Sequence, residues 1–284
     1  MGLPAGGAVG ADPLIRRTRR TDSRVGAFVY AAYVAAVSVF LLAPIAVAVA
    51  LSFSSISQLR FPPPGLSLQW YVKAASTPEF ISGFVMSVAI AVCVAALSVV
   101  AGTLAAIAIN HYRFRGRTAV QAFVMLPLLL PSVVIGLGLL QSLGWYRIPT
   151  GFPAAVLGHS VLGIPYVTYL VLASLASYDL TLEQASLNLG AGRLETFRRV
   201  TLPLLSPGIG AGAIFAFLLS FDNVALSLFL TRGDTLPLRL MQHIQYYADP
   251  SVAAVSSVLI LFSLAALFVI GRILRHREDI RLVA

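Results

Sequence analysis

The sequence predicts an all-α polytopic membrane protein with six transmembrane helices, on three observations. Of its 284 residues 58% are hydrophobic and only 11% are charged, with a mean hydropathy of +0.87. A soluble domain carries about 25% charged residues. Six separate apolar segments each reach the roughly 20 residues a helix needs to cross a hydrocarbon core about 30 Å thick. The joining stretches alternate between Arg-rich and Arg-poor, the pattern of a chain threaded through a bilayer.

The first segment is Val25–Phe53. It is longer than the roughly 7–15 residues of a signal-peptide core and has no clear cleavage site after it, so it reads as a retained helix. Residues 1–24, rich in Gly and Arg, are expected to form a partly disordered cytoplasmic tail. The stretch "SQLRFPPPGLSLQWYVKAASTPEF" follows, and its Trp70 and Tyr71 suit an interfacial belt. The second segment is Phe80–Ile109 and the third Ala119–Leu143, interrupted by Pro127, Pro131, Gly136 and Gly138. In the fourth, Pro153–Ser177, Gly163 and Pro165 are the interruptions. Such residues either open backbone groups to a cavity or kink helices and let neighbours pack, and packing is the expectation here. The fifth segment is Gly208–Leu230. "TRGDTLPLRLMQHIQYYADP", with Tyr246 and Tyr247, predicts a short surface helix before the sixth segment, Ser251–Leu274. The membrane domain is thus expected over residues 25–277, with a cytoplasmic tail at 278–284.

Fifteen basic residues fall on one side of this threading: Arg16, Arg17, Arg19, Arg20 and Arg24; Arg113, Arg115 and Arg117; Arg193, Arg198 and Arg199; and Arg272, Arg275, Arg277 and Arg281. Five fall on the other: Arg60, Lys73, Arg147, Arg232 and Arg239. The excess predicts that both termini are cytoplasmic. It also accounts for the net charge of +9 without nucleic acid. The only lysine, Lys73, is not in a G-x-x-x-x-G-K-[ST] loop, so this chain is not expected to bind ATP or act as an enzyme. The single cysteine, Cys93, and the scattered histidines 111, 159, 243 and 276 form no metal-ligand pattern. No cofactor and no metal are expected in this chain. His159, the one histidine inside a segment, has no visible partner in the sequence.

The loop at 179–207 is polar, carries both signs of charge and is highly patterned. Asp179 and Thr181 suit N-caps, and Leu182, Ala185 and Leu189 make one apolar stripe. Gly190 and Gly192 permit a reversal. "RLETFRRV" starts a second helix, which Pro203 and Pro207 are expected to end or kink before the fifth segment. A short helix with a narrow apolar stripe, lying off the membrane, calls for a partner.

Gly190 is followed by nine residues and then Val200, Thr201, Leu202 and Pro203. Counting back from Gly190, Gln184, Ala185 and Ser186 stand at the positions of an E-A-A triplet, with Glu183 one residue before. This arrangement resembles the signature of integral-membrane permease subunits of binding-protein-dependent ATP-binding-cassette importers: E-A-A, three residues, G, nine residues, I, one residue, L-P. The departures are Gln184 for Glu, Ser186 for the second Ala and Val200 for Ile. "MLPLLLPSVVIGLGLL" and "SFDNVALSLFLTRGDTLPLRL" further resemble the spermidine/putrescine branch. The resemblance implies a type I importer fold with a coupling helix between the fourth and fifth spans. Glu183, Gln184, Ala185, Ser186, Gly190, Ala191, Leu202 and Pro203 would then engage a cytoplasmic ATPase subunit dimer. It also implies a second permease subunit, an extracytoplasmic substrate-binding protein and a bacterial inner-membrane location.

Asp222, beside Asn223, is the only acidic residue well inside a predicted span. A charge at that depth costs about 2.5–3.5 kcal/mol on insertion scales and ordinarily faces a cavity or a partner. Two readings stay open: contact with a cationic solute such as a polyamine, or a structural hydrogen bond within the bundle. Tyr166, with Tyr169 and Gln141, is open to the same pair of readings, pore or interface. A stand-alone secondary transporter or channel is the alternative, and it would call for more intramembrane ionisable residues than Asp222.

Overall fold

The computed structural model describes residues 2, 19–176, 181–247 and 249–283. These residues are helical apart from the connections, of which 53–68 is the longest and holds an isolated bridge between Ser54 and Leu66. The order is α1 (Arg19–Ser52), α2 (Gln69–Ser76), α3 (Pro78–His111), α4 (Arg117–Met125), α5 (Ser132–Trp145), α6 (Phe152–Ala176), α7 (Thr181–Asn188), α8 (Arg193–Thr196), α9 (Leu202–Phe221), α10 (Val224–Leu230), α11 (Leu236–Tyr246) and α12 (Ser251–Val283). The boundaries expected at residues 24 and 277 both fall inside helices, α1 and α12. Asp179 lies outside the described residues.

The centre of the bundle is the trio α3, α6 and α9. In lipid no hydrophobic effect drives helix onto helix, so close backbone approach and dispersion contacts must hold them together. Val167 of α6, fully buried, sits between two glycines. A Cβ on Gly102 of α3 would lie 2.8 Å from the Val167 Cβ, and one on Gly212 of α9 would lie 3.1 Å from its Cα. Ala106, Val171, Leu205 and Ala216 close the same cluster. α1 packs along α12 at the margin, with its apolar surface outward.

Among the described residues, four stretches are helical, long and apolar enough to cross a membrane: Gly26–Ser52, Pro78–His111, Phe152–Ala176 and Arg193–Phe221. The third predicted segment is not one helix. α4 runs into a 3-10 turn at Leu126–Leu129, and Arg117–Leu129 meets α5 at 105°. Pro131 explains the break, because it drives the residue before it out of helical geometry; Leu130 is extended at φ −96°, ψ 137°. Gly136 does what packing predicts: a Cβ there would lie 2.6 Å from the Phe229 ring. α6, by contrast, continues through Gly163 and Pro165 without interruption.

The fifth predicted segment needs a larger correction. The helix continues from Arg193 through Pro203 and Pro207 to Phe221, so these prolines do not end it. The turn ahead of Pro203, Phe197–Thr201, is π-helical. A proline ring clashes with the carbonyl four residues back, here Arg199, and the widened turn accommodates it. The helix stops at Phe221 and restarts at Val224. Of the sixth segment, Ser251–Ala265 is an apolar helical stretch within α12.

The end of the bundle bearing α2 and α11 is tied down by side chains. Trp70 is turned into the protein: it is 7% exposed and its indole N–H donates to the Ser54 carbonyl at 2.7 Å. The Tyr71 hydroxyl lies 2.7 Å from the Ser52 hydroxyl. The predicted surface helix is α11, but Leu236 and Leu238 are buried. Its first N–H, at Leu236, donates to Ser87 Oγ of α3 (2.9 Å). Lys73 Nζ donates to Asp249 Oδ2 at 2.6 Å, and His243 Nε2 lies 3.4 Å from Asp249 Oδ1. Burial pushes the Asp249 carboxyl up, but the hydrogen bonds from Lys73 and Ser251 outweigh it and hold the group down at about 2.

Candidate functional site

At the opposite end, α7 and α8 form a protrusion with the predicted helix, glycine reversal and second helix. The reversal is a Schellman turn. The Ala191 N–H donates to the Ser186 carbonyl (3.2 Å) and the Gly190 N–H to the Leu187 carbonyl (3.0 Å). Gly190 sits at φ +90°, where a side chain is strained. Gly192 has an ordinary φ of −69° and serves as the N-cap residue of α8, so Gly190 alone makes the reversal.

The two faces of α7 differ. Glu183 and Ser186, three residues apart and so on one face, turn toward the protein. Ser186 Oγ lies 3.0 Å from Thr196 Oγ1 of α8. Glu183 Oε1 accepts from Thr201 Oγ1 at 2.5 Å, and Glu183 Oε2 lies 3.1 Å from His111 Nε2 at the end of α3. Leu182, Gln184, Ala185, Leu187 and Leu189 face outward, Leu189 with 89% of its surface exposed. Glu183 therefore does not replace the charge missing at Gln184 on the outward face. Ala191 is half-buried in the turn, while Leu202 and Pro203 form the first turn of α9, beside the π-helical turn.

The candidate pathway residues are not brought together. Asp222 is not mid-helix: it is the residue after α9, at φ −98°, ψ 3°, and its side chain is exposed. It lines a cavity of about 480 Å³ with Leu218, Phe221, Pro237, Leu240, Ser256, Leu259, Ile260, Ser263 and Leu264. Asn223 is engaged otherwise. Its side-chain oxygen accepts from the Leu226 N–H at 2.9 Å, capping α10. Tyr166 packs its ring on Phe215 of α9 with centroids 4.7 Å apart, away from that lining. Tyr169 and Gln141 are exposed.

Sequence reasoning missed the partners of two histidines. His159, 2% exposed, has Nδ1 3.0 Å from Ser220 Oγ of α9 and Nε2 3.5 Å from Ser227 Oγ of α10, so it touches both sides of the α9–α10 break. His111 meets Glu183 across 72 positions of sequence. The available signal was a polar residue in an apolar run, His159 inside α6 and His111 at the end of α3, but neither partner is near in sequence.

Comparison with known proteins gives these features a family. The family described as binding-protein-dependent transport system inner membrane component matches residues 98–278. The spermidine/putrescine transport system permease protein PotC of Haemophilus influenzae is 30% identical over 254 residues, covering 89% of this chain and 98% of the relative. The putrescine transport system permease protein PotI of Escherichia coli K12 is 30% identical over 231 residues, 78% of this chain and 82% of the relative. A chain from the crystal structure of a bacterial alginate ABC transporter, in complex with an alginate pentasaccharide-bound periplasmic protein, shares the fold. Its TM-score is 0.68 at 17% identity, over 90% of this chain and 96% of that one. The long match, spanning both the protrusion and the broken helices, makes this chain a member of the family of inner-membrane components of binding-protein-dependent transport systems.

Proposed function

We propose that the chain is one of two permease subunits of an ATP-driven importer for a polyamine or a similar organic cation. It crosses the membrane six times, by α1, α3, the bent α4–α5 pair, α6, α9 and α12, with both termini in the cytoplasm. The observation that carries the reading is the two-faced α7: its inward side is hydrogen-bonded to the bundle, while an apolar outward side is left bare next to a reversal that requires glycine. Such a face suits the groove of a cytoplasmic ATPase subunit, so that nucleotide-driven closure of an ATPase dimer moves α7. A solute-loaded extracytoplasmic binding protein docks at the end bearing α2 and α11.

The cation follows from Asp222 and from the names of the relatives. An exposed carboxylate in a cavity walled by leucines attracts positive charge strongly, because the apolar wall screens it poorly. Asn223 and Tyr166 contribute to the shape of the bundle rather than to solute contact.

The test is uptake of labelled spermidine and putrescine into proteoliposomes holding the permease pair, the ATPase and the binding protein. Uptake is expected only with internal-face ATP and with binding protein. Asp222→Asn is expected to lower it about tenfold, the size of one lost charge-assisted contact. Uptake by this chain alone, driven by an ion gradient, would instead establish a stand-alone carrier.

A further inference from the structure

We propose that His111 and Glu183 are positioning residues that form a joint, through which displacement of α7 reaches α3 and α9 together. The inference rests on the importer reading above and goes beyond it by naming the side chains that carry the motion inward.

α7 packs on α8 and on the π-helical turn that leads into α9. Its link to α3 is the Glu183–His111 pair. One carboxylate thus serves three elements: it belongs to α7, accepts from Thr201 at the foot of α9, and meets the terminal residue of α3. Both groups sit where helix ends favour them. His111 is in the last turn of α3 and Glu183 in the first turn of α7, the ends at which the helix dipole favours an N–H donor and an acceptor carboxylate respectively. His111 Nδ1 is buried without a hydrogen-bond partner among the described residues. The ring is therefore held in orientation by Glu183 through Nε2. The pair is four-fifths buried, with side chains 21% and 18% exposed, so water competes with it poorly.

α3 and α9 are two members of the central trio, clasped around Val167 of α6. A push on α7 delivered to one of them alone would shear that cluster. Delivered to both through one carboxylate, it moves them as a unit.

The experiment compares His111→Ala, His111→Gln and His111→Asn in the reconstituted importer, measuring spermidine moved per ATP hydrolysed alongside the ATPase rate and the melting temperature. Gln extends an amide N–H to the reach of Nε2; Asn does not. Ala and Asn are expected to lower solute per ATP about tenfold with ATPase within about twofold of wild type, and Gln to restore the ratio. A structural role alone would lower melting temperature in Ala and Asn while leaving solute per ATP unchanged, and that result overturns the joint. If the Ala chain fails to assemble, the Gln–Asn difference decides, and equal ratios for those two overturn the joint. A wild-type complex whose ATPase ignores solute-loaded binding protein would overturn the importer reading itself, and the joint with it.

Discussion

The short helices at the two ends of the bundle turn different groups inward. At the end of α2 and α11 the inward groups are large and apolar: Trp70 is buried on the Ser54 carbonyl, Leu236 and Leu238 are buried against the bundle, and Lys73 ties α2 to Asp249 ahead of α12. On α7 the inward groups are Glu183 and Ser186, while Leu182 and Leu187 turn out. A soluble-facing helix left alone gains by burying its leucines and solvating its carboxylate. The reversed arrangement on α7 is the ground for the proposed ATPase contact, whereas the large groups of α2 and α11 named above are already covered within this chain.

The contrast can be broken most severely at Gly190. A Cβ there meets nothing within 4 Å, so Gly190→Val acts on the backbone alone, by straining φ +90°. The cost is about 1–3 kcal/mol. Transport is expected to fall about tenfold or more with membrane insertion unchanged, as read by uptake against the amount of chain in the membrane fraction. Unaltered uptake would mean that the shape of the protrusion is immaterial.

A smaller effect is expected at the α2–α11 end. Trp70→Phe keeps one six-membered aromatic ring but removes the N–H-bearing ring of the indole and with it the 2.7 Å bond to the Ser54 carbonyl. It should destabilise the purified protein by about 1 kcal/mol, seen as a lower melting temperature, while ATPase binding stays unchanged. Loss of ATPase binding in this variant would erase the distinction between the ends.

The smallest is the Lys73–Asp249 strap, whose lysine is half-exposed, so it contributes below about 1 kcal/mol. The Asp249 carboxyl lies at about 2 against an ordinary 3.8. The native state therefore binds fewer protons than the unfolded one between these values. The contribution is complete above pH 3.8 and is lost as pH falls through about 2. Lys73→Met should melt slightly below wild type at neutral pH, and the gap should close over that acid window. A gap that persists at the acid end would assign the stabilisation to packing of the lysine stem over Trp70.

These contrasts also show what the sequence could convey. The apolar segments and the E-A-A-type spacing were legible because each is a local count: residues per span, or residues between Gly190 and Pro203. The breaks at Leu130 and Asp222 were harder. A hydropathy window sums side-chain transfer energies and reads the same through a straight helix as through a bent pair. Leu130–Pro131 carried a usable signal in the proline rule, and Asn223 carried one as a cap residue, yet Pro165 shows that a proline inside a span need not break it. The inward turn of Trp70, the Ser220 and Ser227 hydroxyls facing His159, and the Glu183–His111 pair depend on residues brought together across 16 to 72 positions. No local pattern encodes those meetings. For the same reason Glu183 and Gln184, adjacent in the chain, could not be told apart in role until α7 fixed which of them faces inward.

The most direct test of the central claim, that the outward face of α7 seats a cytoplasmic ATPase, is retention of the co-expressed ATPase subunit by the affinity-tagged permease pair. Leu189, at 89% exposure, can be changed without disturbing the fold of this chain. Wild type should hold the ATPase through purification, and Leu189→Glu should lose it, with permease yield and melting temperature unchanged. Equal retention by both would contradict the account.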